Sequence, residues 1–188
     1  MRRRAAYAVV IGAALIGFAA YGFATGSELT ASYLVIVAGG AALVGALDGR
    51  VRLSTVALTG LALWGVGHLA GGIVELSHGR ILYNALLPGR IHFDNVVHFV
   101  GFGSAGLAAW EALGRHVADT LSARGVWFTV WLLAMGIGAL NEVIEFAITH
   151  IQTETQIGGY QNTGRDLVAN MLGGAIAGVI AARRGSSA

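Results

Sequence analysis

The sequence predicts an all-α, polytopic membrane protein: a bundle of six transmembrane helices with both termini in the cytoplasm. Three observations carry this. Hydrophobic residues make up 55% of the 188 and charged residues only 12%, and mean hydropathy is +0.68, too apolar for a soluble domain of this size. The apolar residues fall into six runs, near the ~20 residues that cross a ~30 Å hydrocarbon core. The arginines are distributed unevenly between the segments that join those runs.

We place the helices at about 5–24, 32–47, 53–73, 94–113, 126–148 and 165–182. The second and sixth are short and would need tilt or local thinning of the bilayer. The first follows Met1-Arg2-Arg3-Arg4, which resembles the start of a signal peptide. Its apolar run exceeds a typical signal core, so a retained first helix is expected. No linker separates domains and no internal repeat is visible, which gives a single transmembrane domain over 1–188.

Orientation follows from arginine. With the N-terminus inside, Arg2, Arg3, Arg4, Arg50, Arg52, Arg115, Arg124, Arg183 and Arg184 are cytoplasmic, against Arg80, Arg90 and Arg165 outside. The inside loops are Asp48-Gly49-Arg50-Val51-Arg52 and 114–125; the outside segments, 74–93 and 149–164, are longer. In the former, Ile81-Leu82-Tyr83 and Leu86-Leu87-Pro88 suggest a short interfacial helix or re-entrant turn. Despite a formal charge of +2, the arginines form no continuous stripe, which argues against a nucleic-acid partner. Cysteine is absent, so there are neither disulfides nor thiolate ligands.

Ionisable groups inside a bilayer cost about 2.5–3.5 kcal/mol each at mid-helix, so their placement is informative. Helix three carries His68, then Gly71-Gly72, near its outer end. Helix four opens with Asp94 and places His98 one turn deeper on the same face. Helix five carries Asn141, Glu142 and Glu145 near its exit. Helix six opens with Arg165-Asp166, then Asn170 and Gly173 along one stripe. Helices three and five run outward and four and six inward, so all four sets fall in one leaflet. Simpler roles exist for single members. Asp94 and Asp166 stand where N-caps belong, Glu145 is near enough to the exit to snorkel, and His68 fits an interfacial histidine. Glu142 and His98 lie more than a turn from a helix end and resist such accounts.

The other ionisable groups are weaker candidates. Glu111 and His116 belong at the cytoplasmic end of helix four. Glu75, His78, His92, His150 and Glu154 lie in the outside segments. Gly101, Gly103, Gly106, Gly136, Gly138, Gly173, Gly174 and Gly178 suit close helix packing, a floor beneath the polar cluster.

His68-x-x-Gly71-Gly72, Asp94-x-x-x-His98-Phe99-x-Gly101, Asn141-Glu142-x-x-Glu145 and Asp166-x-x-x-Asn170-x-x-Gly173 occur in order between about residues 60 and 182. This series resembles the YjdF-like bacterial inner-membrane proteins, and more widely the VanZ-like group. The resemblance implies a multi-pass protein of the bacterial inner membrane. It implies no biochemical activity for the YjdF-like proteins and, for the VanZ-like group, a link to resistance to a glycopeptide antibiotic. The chain departs from the YjdF pattern at Ile73-Val74-Glu75-Leu76, where aromatic residues are usual, and at Arg90, which is displaced from the start of helix four.

Imidazole with carboxylates suits Zn²⁺, Mn²⁺ or Fe²⁺. In that reading His68, His98 and one or more of Asp94, Glu142 and Asp166 are ligands. Glu145, or Glu142 where it is not a ligand, is the acid or base for a metal-activated water. Asn141, Asn170, Arg90 and Arg165 contact substrate or support the ligands, the arginines by receiving phosphate or carboxylate. The substrate is a membrane lipid or a lipid-linked envelope molecule. No HExxH pattern and no Glu-x-x-His pair is present. The alternative is a non-catalytic protein that binds lipid or another ligand. An ion-coupled transporter is disfavoured by the absence of a second polar layer and of a repeat.

The topology is testable in this cysteine-free chain. Single cysteines at Ser77 and Thr155 should react with an impermeant thiol reagent in intact cells, and one at Ser122 should not. Labelling at Ser122 alone would reverse the orientation.

Overall fold

A computed structural model describes residues 2–114, 117, 120–150 and 158–185. Six long helices form the chain: α1 (Arg2–Thr25), α2 (Thr30–Val51), α3 (Thr55–Ile73), α4 (Phe93–Leu113), α5 (Ala123–Thr149) and α6 (Tyr160–Gly185). All six are long and apolar enough to cross a membrane. The protein is therefore all-α and multi-pass. The chain divides into two compact units, and the division falls between Val97 and His98 within α4.

Two helices are longer than the apolar runs suggest. α2 has 22 residues, about 33 Å at ~1.5 Å per residue, which spans the core without thinning. Asp48 through Val51 belong to this helix rather than to a loop. The sequence at its end looked like a loop because it is charged, yet Asp48 is only 3% exposed. Arg4 Nε lies 2.6 Å from Asp48 Oδ2 and Arg3 Nη2 lies 3.5 Å from Oδ1. Arg3 also donates to the Leu53 carbonyl at 2.9 Å. These contacts fasten the start of α1 to the end of α2. α2 stops at Arg52, which takes the left-handed conformation (φ 57°) and returns its N–H to the Asp48 carbonyl. Ser54 then caps α3, its hydroxyl accepting from the Ala57 N–H at 3.2 Å.

α6 begins at Tyr160, five residues before the expected start. The polar run Gln161-Asn162-Thr163 hid the helix from an apolar criterion. Asp166 is consequently inside the helix and does not cap it. Asp94, likewise, lies in the first turn of α4. There the His92 N–H is capped by the Asn95 side chain at 3.1 Å, the reach-back half of a capping box.

Residues 74–92, where a short interfacial helix or a re-entrant turn is expected, hold no helix longer than a single 3₁₀ turn. They make two single 3₁₀ turns, Ser77–Gly79 and Leu82–Asn84, and a small hairpin of β1 (Leu86–Leu87) with β2 (Ile91–His92). Pro88 and Gly89 (φ +80°) occupy the central positions of the turn, and the Arg90 N–H closes it onto the Leu87 carbonyl at 3.1 Å. Proline followed by a positive-φ glycine is the type II pattern. It reverses the chain sooner than a helical turn could form. Residues 151–157 of the expected outside segment 149–164 lie outside the described residues, as do Arg115, His116 and Glu154.

Within the first unit, Val37, Leu69 and Ile73 form a buried cluster against which Ile11, Leu15 and Phe18 pack. Gly65 admits Ile11 and Val37, and Gly72 admits the Tyr33 ring. Large apolar side chains elsewhere face outward, including Val9, Ile16, Phe23, Leu132 and Phe146. On a soluble protein this would be a liability; in a bilayer it is the lipid-facing surface.

Lipid chains are as apolar as leucine, so helix association in a membrane depends on close packing of small residues. The second unit shows this directly. A Cβ at Gly103 would stand 2.7 Å from the Gly173 carbonyl oxygen, and one at Gly106 would stand 2.6 Å from the Ala134 Cβ. Gly174 lies against Ala134 and Trp131, and Gly178 against Trp127. Trp127 and Trp131 donate their indole N–H groups to the Ala175 and Met171 carbonyls at 3.0 and 3.2 Å. Gly103, Gly106, Gly138, Gly173, Gly174 and Gly178 thus mark helix contacts, while Gly136 faces open space.

Gly173→Ala should therefore destabilise the protein by about 1–3 kcal/mol, since its methyl would meet the Phe99 backbone. Gly136→Ala should be neutral or stabilise by up to about 1 kcal/mol through helix propensity. Thermal unfolding in detergent reads both, and equal effects would remove the packing assignment.

Candidate metal centre

The contacts that bring α4, α5 and α6 together also set the level of their polar residues. Gly106 on α4 lies against Ala134 on α5. About two turns further, toward the start of α4 and the end of α5, the same register sets His98 opposite Glu142. His98 Nδ1 is 3.6 Å from Glu142 Oε1, and the two side chains are 7% and 6% exposed. On α5 and α6 the pairing runs from Trp127 at Gly178, through Trp131 at Gly174, to Gly138 against the Asn170 side chain. One more turn brings Glu142 to the level of Asp166.

His98, Glu142 and Glu145 each offer a donor atom, and these atoms lie within 4.8 Å of one another. Two ligands on a tetrahedral ion with ~2.1 Å bonds are about 3.4 Å apart, close to the His98–Glu142 separation. The Asn141 amide donates to Glu145 Oε1 at 2.7 Å, one turn along α5, which fixes that carboxylate. The Phe102 ring tilts against the His98 ring at 5.1 Å. Asp166 is fully buried and accepts from Asn162 Nδ2 at 2.6 Å. Asn170 is also fully buried, and neither atom of its amide has a hydrogen-bond partner among the described residues. Gly138 leaves the space its amide fills.

The other expected residues are placed as follows. Asp94 is half-buried and one turn before His98 on α4. Arg165 is exposed beside Asp166, and Arg90 is exposed with φ +62° at the end of the hairpin turn. His68 belongs to the first unit. Its Nδ1 shares a short hydrogen bond with the Tyr83 hydroxyl, and its ring stacks on Trp64 at 5.0 Å and tilts against Tyr33 at 4.9 Å. His150 folds back on its own helix, with Nδ1 3.0 Å from the Phe146 carbonyl. Glu111 pairs with Arg184 at 3.3 Å, at the far end of α4 from His98.

Asn162, Asn95, Phe102 and Tyr83 were not singled out from the sequence. Asn162 had a legible signal, since it stands four residues before Asp166, but only once α6 is known to start at Tyr160. The aromatic partners gave none, because contact between distant segments leaves no local pattern.

With this geometry in hand, comparison with known proteins adds one family. The chain belongs to the family of predicted membrane proteins DUF2238, which matches residues 5–187. Neither a curated protein nor a solved structure matches it. A match of that extent covers all six spans and the polar residues between His68 and Asn170, so the buried His, Asp and Glu cluster lies within the region that defines the family.

A double-mutant cycle tests the central contact. His98→Ala and Glu142→Ala should be non-additive in thermal unfolding, with a coupling of about 0.5–3 kcal/mol for side chains in contact. Strict additivity would mean that the two side chains do not act together.

Proposed function

We propose that this DUF2238 protein is a membrane-embedded metal-binding protein acting on a lipid or lipid-linked envelope substrate. One observation carries the proposal: the donor atoms of His98, Glu142 and Glu145 lie within 4.8 Å of one another inside apolar helices. His98 and Glu142 are buried and Glu145 is half-buried; ionisable groups so close and so shielded from water are costly unless a cation compensates them. One imidazole with carboxylates, and no thiolate, suits Zn²⁺, Mn²⁺ or Fe²⁺. His98 and Glu142 are the ligands we assign first, with Asp166 as a further candidate. Glu145, held by Asn141, would serve as general base beside such an ion, which when bound would supply water activation. Asn170 and Arg165 are the groups offered to a polar or anionic substrate. The site opens to the outer leaflet if both termini are cytoplasmic. The ordered motifs resemble those of YjdF-like and VanZ-like proteins, and this reading treats them as one kind of site.

A second reading has its own support. The fully buried Asn170 amide suits a protein that holds a polar ligand without transforming it, because a bound hydroxyl or amide, which both donates and accepts, would satisfy both of its atoms.

Elemental analysis with thermal unfolding separates the two. The parent protein should purify with, or take up, one equivalent of metal. His98→Ala and Glu142→Gln should each lower that content at least tenfold. Glu142→Gln is the sharper change, since it keeps size and hydrogen bonding but removes charge. Chelator should lower the melting temperature of the parent alone, as metal held only by the folded state adds about 2.7 kcal/mol at a hundredfold excess over Kd. A parent that binds no metal and melts identically in chelator would leave the ligand-binding reading in its place.

A further inference from the structure

We propose that the end of the first unit, where α1 starts, α2 finishes and α3 starts, binds the phosphate of an anionic phospholipid headgroup. This surface is independent of the metal centre. It gathers Arg3, Arg4, Arg50 and Arg52 against a single acid, Asp48. Asp48 is buried and holds Arg3 and Arg4 through the contacts at 3.5 and 2.6 Å, yet those arginines keep 41% and 45% of their side chains exposed. The buried carboxylate therefore positions the two guanidinium groups without using up their donors. Each has five N–H groups in a planar fork that matches phosphate oxygens.

Arg50 and Arg52 are exposed, and no ion pair engages either among the described residues. Arg52 also occupies a left-handed backbone position (φ 57°) at the end of α2, which glycine fills without strain. The chain thus keeps an arginine where backbone geometry favours another residue, and it contains no lysine anywhere. Point charge alone would be served equally by lysine; a forked donor would not.

The occupant is a lipid because of where the patch lies. The three helices are membrane spans, so their ends reach the headgroup level. Apolar side chains are exposed close to the arginines, with Val56 at 43% on the first turn of α3 and Val9 at 68% within two turns of Arg3. Guanidinium groups directly above an exposed apolar face sit where phosphate meets acyl chain.

The test uses the full-length protein in nanodiscs of phosphatidylcholine with or without phosphatidylglycerol, with retained lipid counted by native mass spectrometry. The parent should retain phosphatidylglycerol over phosphatidylcholine, and salt should weaken that preference. Arg50→Gln and Arg52→Gln should each lower it about fivefold, the equivalent of one juxtamembrane arginine, and the double variant more. Arg80→Gln, beyond the opposite end of α3, should leave it unchanged. Both single variants alter exposed side chains, and a melting curve in detergent confirms folding. A preference unchanged in R50Q/R52Q, or lost equally in R80Q, overturns the proposal. Millimolar inorganic phosphate should not displace the lipid; displacement would mean a free-anion site and would also overturn it.

Discussion

The cost of placing charge in a bilayer governs the second half of this chain. His98 and Glu142 sit more than a turn inside their helices, where an uncompensated charge is expensive. Their positions are tolerable only because α4 and α5 approach closely enough to set one against the other at 3.6 Å. That approach depends on Gly106 meeting Ala134, and on Gly103 and Gly173 meeting through bare backbone. Any larger side chain at those points would separate the helices and strand the polar groups. Packing and chemistry are therefore one constraint, expressed at two depths of the same helices.

The same logic recurs in the first unit with a different solution. Asp48 is as buried as the site residues, but it lies at a helix end and can draw guanidinium groups from the start of α1. A carboxylate near the interface recruits solvated arginines; one deeper in the span must find an imidazole, an amide or an ion. Asn141 on Glu145 and Asn162 on Asp166 are the amide version of this, each placed one turn away on the carboxylate's own helix. Local amides restrain the acids but carry no charge. That difference is the reason for proposing a cation at the cluster around His98.

Hydropathy found all six spans, because a bilayer imposes a length and composition that each span must satisfy by itself. It misjudged ends where a helix continues through polar residues. Asp48 to Val51 and Tyr160 to Gly164 are helical although neither stretch is apolar enough to count. The cost was specific: Asp166 was read as a possible cap when it is buried in the second turn of α6, and Asn162 was passed over. The hairpin at Pro88-Gly89 was missed for the opposite reason, since its flanking residues are apolar and suggested an interfacial segment.

The sequence by itself determined the class, the number of spans and the depth of the polar residues. Each depends on one helix and its own rise along the membrane normal. It also placed His98, Glu142, Asp166 and Asn170 among the candidates, since intramembrane polarity is visible residue by residue. Only the tertiary structure decided which of these meet. The rotation of each helix about its axis is set by small-residue contacts such as Gly103 with Gly173, and such contacts join residues far apart in the chain. That rotation turned His98 toward Glu142 and Glu145. In the first unit it surrounded His68 with Tyr33, Trp64 and Tyr83. Depth is a property of one segment and can be read along it; facing is a property of two, and exists only once they pack.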